Sequence, residues 1–196
     1  MVIKEAYESP IILTEAAVFQ KLKTKSKSIK KTCKDILDGK IRIRKDDEEK
    51  VKEFIDKNKD KIKEVYEAVD KDVDNIHTPK DAVEYLASFG VGMASMAAAI
   101  LSPTAILLGA TLIPVQIILV IIGGLSLIYN TVKFIKDISD DSTMSKASDA
   151  MKKIQKQLLT IDISKFNNDR LKKEYNALVD ELDIAINNIK RTQQEW

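Results

Sequence analysis

Residues 85–132 read YLASFGVGMASMAAAILSPTAILLGATLIPVQIILVIIGGLSLIYNTV and contain no Asp, Glu, Lys, Arg or His. This charge-free run of 48 residues lies in a chain in which 32% of the residues are charged. Pro103 and Pro114 interrupt the run, so we expect two apolar arms, 85–101 and 106–132, rather than one continuous helix. The stretch therefore predicts a helical hairpin.

Both arms approach the length that is needed to cross a bilayer. A membrane-spanning helix requires about 20 mostly apolar residues and at least about 17. The second arm, rich in Ile, Leu and Val, exceeds that length, whereas the first arm only reaches it. Small residues give the first arm a surface on which another helix can pack closely. A helix that is apolar on all sides is either membrane-spanning or buried in a protein core, so both interpretations stay open.

If the hairpin enters a membrane, its large apolar side chains contact the lipid tails. The predicted membrane-inserting residues are Leu86, Phe89, Ile100, Leu101, Ile106, Leu107, Leu108, Ile117, Ile118, Leu119, Ile121, Ile122, Leu125 and Ile128. We assign the hairpin turn to Ser102, Pro103 and Pro114. The tip is uncharged, which favours its passage, because a charge at the bilayer centre costs about 2.5–3.5 kcal/mol.

The apolar run divides the chain into four segments of different character. We assign an N-terminal arm and a basic helix to 1–45, a long amphipathic helix to 46–77, the hydrophobic hairpin to 78–138, and a C-terminal helical hairpin or coiled coil to 139–196. Outside the hairpin, apolar residues recur every three or four positions, as in amphipathic helices. The predicted fold class is all-α, a bundle of amphipathic helices around or beside the hairpin. The C-terminal segment is expected to pack on the long helix or on copies of itself.

Three local signals place helix boundaries. Thr14 is a predicted N-cap for the basic helix, and Gly39 is expected to follow that helix as its C′ residue. Thr78, Pro79 and Asp81 combine an N-cap, a proline at the first helical position and an acid at the third. This combination predicts that the hairpin begins at a well-defined helix start.

Residues 21–45 contain eleven Lys and Arg residues against two Asp residues, although the net charge of the whole chain is only +2. We predict that this cluster binds anionic lipid headgroups, and its members are Lys21, Lys23, Lys25, Lys27, Lys30, Lys31, Lys34, Arg42 and Arg44. A solvated helix face is one alternative, and binding of nucleic acid phosphates is another. No aromatic residue is interleaved to stack on bases, which argues against nucleic acid.

The sequence contains no recognisable catalytic or metal-binding pattern. None of its six glycines precedes the Lys-Ser/Thr of a phosphate-binding loop. Cys33 and His77 are the only cysteine and the only histidine, so no intrachain disulfide can form. For His77, at a joint between helices, a structural role and a pH-sensing role both stay open. We predict a protein that is not an enzyme and has no cofactor, no metal site and no cleaved signal peptide.

Amphipathic helices that flank a charge-free helical hairpin resemble the architecture of pore-forming colicins and related helical toxins. The residues that carry this resemblance are 85–132, with the flanking helices at about 46–76 and 143–190. The resemblance implies a water-soluble form in which a helical coat hides the hairpin, and a hairpin that inserts first. The chain differs from that family by placing the hairpin in the middle of the sequence.

A second resemblance concerns the N-terminal region. Residues 13–16, Leu-Thr-Glu-Ala, are similar to the Leu/Ile-x-Glu before a small residue at which prohead proteases of tailed phages cut. This resemblance implies a virion component that meets a host membrane.

Two functions therefore follow from the sequence. The first is a membrane-associated, pore-forming protein whose hairpin inserts into or perforates a bilayer with anionic headgroups. The alternative is a structural or assembly subunit, of a virion or another complex, whose hairpin is buried against partner chains. Either function is compatible with a homo-oligomer or with a place in a larger assembly.

Overall fold

The computed structural model describes residues 15–41, 43, 47–102, 113–136 and 141–194. Within these residues the chain forms α-helices and no strands, which confirms the predicted all-α class. The helices are α1 (Glu15–Leu37), α2 (Glu48–Asp72), α3 (Pro79–Ile100), α4 (Val115–Ile135), α5 (Asp141–Leu158) and α6 (Asp169–Gln194). Short 3-10 turns at Val73–Asn75 and Ile163–Lys165 lie in two of the connections.

The six helices pack as two layers of three. α3 lies between α2 and α5 in one layer, and α4 lies between α1 and α6 in the other. The two middle helices, α3 and α4, are the apolar arms, and they also pack against each other. Each arm thus lies between two flanking helices and also packs against the other arm. We call α1, α2, α5 and α6 the coat helices.

Two helix boundaries lie where the local sequence predicts them. α1 ends at Leu37 and is followed by Gly39, whose positive φ of 71° is the left-handed conformation of a C′ glycine. At the start of α3, the Thr78 side chain accepts a hydrogen bond from the Asp81 N–H, and Asp81 accepts one from the Thr78 N–H. Both orphan N–H groups are therefore satisfied. The predicted N-cap Thr14 lies outside the described residues.

The predicted bounds of the second arm, 106–132, differ from those of α4, Val115–Ile135. Pro114 has an extended ψ of 136° and is the N-cap of α4, so a helix cannot run through it. At the other end α4 continues to Ile135, beyond the predicted Val132. The part of the predicted arm at 106–112 lies outside the described residues.

α3 contains a π-helical turn at Leu86–Gly90 that the hydrophobic pattern did not predict. A π turn closes i→i+5 hydrogen bonds, so it holds more residues than an α turn. The turn places Gly90 against α5, where an added Cβ would lie 2.8 Å from Cδ1 of Ile154. The π turn therefore lies where α3 and α5 approach each other closely.

The C-terminal hairpin packs on the arms. It does not pack mainly on α2, the long helix that was one of its two predicted partners. α5 packs against α3, and α6 packs against α4. The hydroxyl of Tyr175 in α6 donates a hydrogen bond of 3.0 Å to the carbonyl of Leu158 at the end of α5. The apolar stripes of α5 and α6 are long enough to cover one side of both arms.

Two adjacent glycines in α4 face different surroundings and allow a matched test of the contact between the arms. An added Cβ at Gly124 would lie 2.4 Å from Sδ of Met93 in α3, whereas one at Gly123 would lie 3.7 Å from Cγ1 of Ile29 in α1. Both changes to Ala remove one helical glycine, a gain of about 1 kcal/mol. Only Gly124→Ala forces the buried Met93 to move, at a cost of about 1–3 kcal/mol.

We therefore expect Gly123→Ala to raise the free energy of unfolding and Gly124→Ala to leave it about 1–3 kcal/mol below that of Gly123→Ala. Urea unfolding followed by circular dichroism measures both values. Equal stability of the two variants would contradict the contact between Met93 and Gly124.

A buried hydrogen bond joins the coat to the first arm and supports a second prediction. The Tyr85 hydroxyl donates to Oγ of Ser26 at 2.5 Å, and Ser26 donates to the Leu22 carbonyl at 2.7 Å. Ser26→Ala leaves the buried Tyr85 hydroxyl without its acceptor and should cost about 1–3 kcal/mol. Tyr85→Phe removes the hydroxyl itself and so leaves no buried donor without an acceptor. This change should cost only about 0.5–1.5 kcal/mol. The measurement compares the free energies of unfolding of the two variants, and Ser26→Ala should be the less stable one. A less stable Tyr85→Phe variant would contradict this hydrogen bond.

Candidate functional site: the apolar arms and the groove beside them

The structure buries most of the predicted membrane-inserting residues between the coat helices. Nine of them have no more than 2% of their surface exposed, namely Leu86, Phe89, Ile100, Leu101, Ile117, Ile121, Ile122, Leu125 and Ile128. Ile118 is half-buried and Leu119 is 50% exposed. Ile106, Leu107 and Leu108 lie outside the described residues. Most of the set is therefore in the core of the bundle.

The predicted hairpin turn is only partly described. Ser102 follows the last turn of α3 and is half-buried, and Pro114 is buried as the N-cap of α4. Pro103 lies outside the described residues. The two described members thus mark the ends of the arms that face the connection between them.

By length and composition both arms are able to cross a membrane. α3 has 22 residues and a mean hydropathy of 1.4 in its most apolar window, and α4 has 21 residues and a value of 2.0. In each arm 56% of that window is buried within the protein. The core helix of a soluble protein can meet the same criteria of length and hydropathy, and such a helix is mostly buried.

Each arm keeps one face that points away from the helices packed against it. On α4 this outward face begins with Val115, 69% exposed, and Leu119, and it continues through the half-buried Gly123 and Ser126. On α3 the corresponding residues are small: Ala87, Gly92, Ser95 and Ala99. An added Cβ at Gly92 would meet no atom within 4 Å. The α3 outward face is therefore shallow and open.

A groove runs along the outward face of α4 beside α1. Its larger cavity, of about 570 Å³, is lined by residues of α1, of α4 and of the start of α6, including Ile29, Leu119, Val120 and Arg170. A second cavity of about 290 Å³ continues between α1 and α4 toward Lys133 and Phe134. Both cavities are lined by Lys25. We call the two together the α1/α4 groove.

Basic side chains surround this groove. Of the lining residues that the structure describes, five are basic and one, Asp35, is acidic; the basic residues are Lys21, Lys25, Lys40, Lys133 and Arg170. Lys40 forms an ion pair of 3.0 Å with Asp38, which offsets part of its charge. An apolar floor with a basic rim is the arrangement that suits an amphiphile with a negative head.

Other predicted headgroup-binding lysines face α2 instead. Lys27 forms an ion pair of 2.7 Å with Asp74, Lys30 forms one with Asp70, and Lys23 donates to the Asp74 carbonyl at 3.2 Å. The hydrogen bond with Asp70 raises the pKa of Lys30, and the bond from Lys27 lowers the pKa of Asp74. These lysines join α1 to α2.

The remaining members of the predicted basic cluster lie elsewhere. Lys31 and Lys34 are exposed on α1 and do not line the groove. Arg42 and Arg44 lie outside the described residues. Of the nine predicted residues, the structure therefore brings Lys21 and Lys25 to the groove.

Two residue types that often carry chemistry have simple surroundings here. Cys33 is fully buried in α1, and burial raises the pKa of its thiol to about 12, so the reactive thiolate is scarce at neutral pH. His77 is exposed at the joint before α3, and its backbone N–H donates to Asp81. Among the described residues, no group of three or more His, Cys, Asp or Glu is placed to hold a metal ion.

Four residues that line the groove were not predicted as members of a site: Lys40, Gln116, Lys133 and Arg170. Part of the signal was present, since Ser126, Asn130 and Lys133 recur at helical spacing within an otherwise apolar arm and mark its outward face. Arg170 gave no such signal, because only the packing of α6 on α4 brings it to the groove.

No protein-family model, curated protein or solved structure matches the chain. The resemblances to pore-forming colicins and to tailed-phage virion proteins therefore stay predictions.

Proposed function

We propose that the protein is membrane-active and that its two arms leave the coat helices to enter a bilayer. The observation that carries the proposal is the position of the arms. The two helices whose length and hydropathy suit a membrane are the two middle helices of the bundle, and four charged amphipathic helices pack beside them. This arrangement keeps a membrane-spanning hairpin soluble until it meets lipid.

The composition of the arms supports release into lipid. No charged residue occurs between Glu84 and Lys133, so the contacts of this stretch with the coat are mainly apolar. Lipid tails are as apolar as a leucine side chain and can replace such contacts. The described polar links that must break include the bond from Tyr85 to Ser26 and the bond of 2.6 Å from Ser88 to Asp72. Their loss costs a few kcal/mol at most.

The outward faces of α3 and α4 are the parts of the arms that contact the bilayer first. Val115 and Leu119 already present large apolar side chains to solvent on α4. The open face of α3, with Gly92 and Ser95, permits close approach of another surface. Lys133 lies at the end of α4 that joins the coat, where its charge can stay with the headgroups.

The direct test is dye release from vesicles that contain phosphatidylglycerol, with the full chain at neutral and mildly acid pH. Native protein should release dye. Gly92→Asp should abolish release, because it puts a charge in the middle of an arm at a cost of about 2.5–3.5 kcal/mol in the bilayer. The fold in water should persist, since position 92 has open space for a side chain.

Two controls make this test specific. Gly92→Ala adds an apolar group at the same site and should keep dye release. Ile184→Asp adds the same charge on α6 at a side chain that is 49% exposed and outside the arms, and it should also keep dye release. Intact vesicles with native protein, or full release by Gly92→Asp, would refute the proposal.

Cys33 reports whether the coat opens. Its thiol is fully buried in the bundle, so a maleimide should react slowly in buffer. Phosphatidylglycerol vesicles should raise the rate of labelling by about tenfold or more, because parting of α1 from the arms exposes the thiol. Phosphatidylcholine vesicles serve as the comparison. Dye release without any gain in labelling would show that the arms do not enter lipid by leaving α1.

The exposure of Val115 and Leu119 also favours a second function, in which these side chains pack against a partner chain in an assembly. A defined oligomer in detergent-free sedimentation, together with intact vesicles, would support the assembly role and exclude the membrane role.

A further inference from the structure

We propose that the α1/α4 groove binds one anionic lipid molecule, with an acyl chain along its apolar floor and the headgroup near Lys25 and Arg170. The inference rests on the proposed function for the source of the lipid, which is the membrane that the arms enter. Beyond that function, it assigns the lipid to a defined groove, with one lipid per chain and an anionic headgroup.

The size and floor of the groove suit an acyl chain. Its larger cavity of about 570 Å³ lies within the range of roughly 300–1,000 Å³ that is usual for small-molecule sites. Ile29, Leu119 and Val120 supply the apolar lining. Gly123 has no side chain, and this leaves space beside Ile29 that any larger residue would occupy.

The charges around the groove select a negative head. Lys25 lines both cavities, and Arg170 reaches the larger one from the start of α6. Arginine binds phosphate with two parallel N–H donors, and lysine binds it as a point charge. Asp35 is the single acid among the described lining residues, and these residues together carry a net positive charge. This charge favours a phosphate-bearing lipid over a zwitterionic one.

The side-chain amide of Gln116 brings a polar group to this site. Gln116 lines the larger cavity, and its Oε1 is buried without a hydrogen-bond partner among the described residues. Buried polar atoms are normally hydrogen-bonded. A glycerol headgroup carries hydroxyl donors that can satisfy this oxygen when the amide turns toward the groove. Phosphatidylglycerol therefore fits the site better than a lipid without headgroup hydroxyls.

The test uses the full chain, no bilayer, and palmitoyl lysophosphatidylglycerol below its micelle concentration. Calorimetric titration gives the affinity, and native mass spectrometry gives the stoichiometry. We expect one lipid per chain. Palmitoyl lysophosphatidylcholine has the same chain with a neutral head, and it should bind about tenfold or more weakly.

Three variants separate the headgroup contacts from the acyl-chain contacts. Lys25→Glu with Arg170→Glu reverses two rim charges and should weaken binding by about tenfold or more. Gly123→Leu fills the floor, keeps every rim charge and should also weaken binding. Lys31→Glu with Lys34→Glu makes the same charge change on α1 away from the groove and should leave the affinity unchanged. Circular dichroism verifies that each variant is folded.

Several results would overturn the inference: no complex with one lysophosphatidylglycerol, equal binding of the neutral lysolipid, unchanged affinity of Gly123→Leu, or equal loss with the Lys31 and Lys34 pair. Concentration-dependent dimers that Gly123→Leu dissociates would assign the groove to a second copy of the chain instead. Because this assay contains no bilayer, its failure is distinct from failure of dye release. Gly92→Asp, which blocks insertion, should bind the lysolipid as tightly as the native chain.

Discussion

The exclusion of water from two charge-free helices is the constraint on which the structure depends. Each large apolar side chain of the arms contributes about 1.5–3 kcal/mol when it leaves water. In the described residues, the two-layer arrangement covers each arm with two flanking helices and the other arm. The arms are therefore protected along most of their surface and remain accessible along one face.

The first coat helix connects this constraint to the surface chemistry. One side of α1 packs on α4 through Phe19 and Ile29. The rings of Phe19 and Phe134 meet edge to face, with their centroids 5.3 Å apart. Another side is joined to α2 by Lys27 and Lys30. Lys21 and Lys25 lie on the opposite flank of the side that packs on α4, and they border the groove. The same helix thus covers an arm and supplies cations beside its exposed face, so a positively charged surface lies next to the helix proposed to enter a bilayer.

Local chemistry made several features predictable from the sequence. Gly39 ended α1 because a C′ residue needs a positive φ, and Thr78 with Asp81 started α3 because their side chains satisfy the first N–H groups. The division into apolar arms and amphipathic helices followed from charge alone. The second arm was predicted to begin at Ile106, although α4 begins after Pro114, which had been placed in the hairpin turn.

Other features depend on tertiary packing that no local pattern contains. The meeting of Met93 with Gly124 required both arms to be in place, and the placement of Arg170 beside α4 required the path of the C-terminal hairpin. The division of the α1 lysines into an α2-facing group and a groove-facing group depends on the angular position of each residue once α2 and α4 are packed. The basic cluster was therefore predictable from the sequence, but the division of its lysines between α2 and the groove was not.

The π turn in α3 has a consequence for how this chain tolerates change in length. Residues before it, such as Tyr85, and residues after it, such as Met93, both point into the bundle because the wide turn adjusts the angular phase between the two halves. A π turn differs from an α turn by one extra residue, so deletion of one residue from Leu86–Gly90 would give a regular α-helix and leave Met93 facing inward. The same deletion in the α-helical part after Gly90 would rotate every following residue by about 100°. The π turn is thus a place where α3 can lose a residue and keep its inward and outward faces.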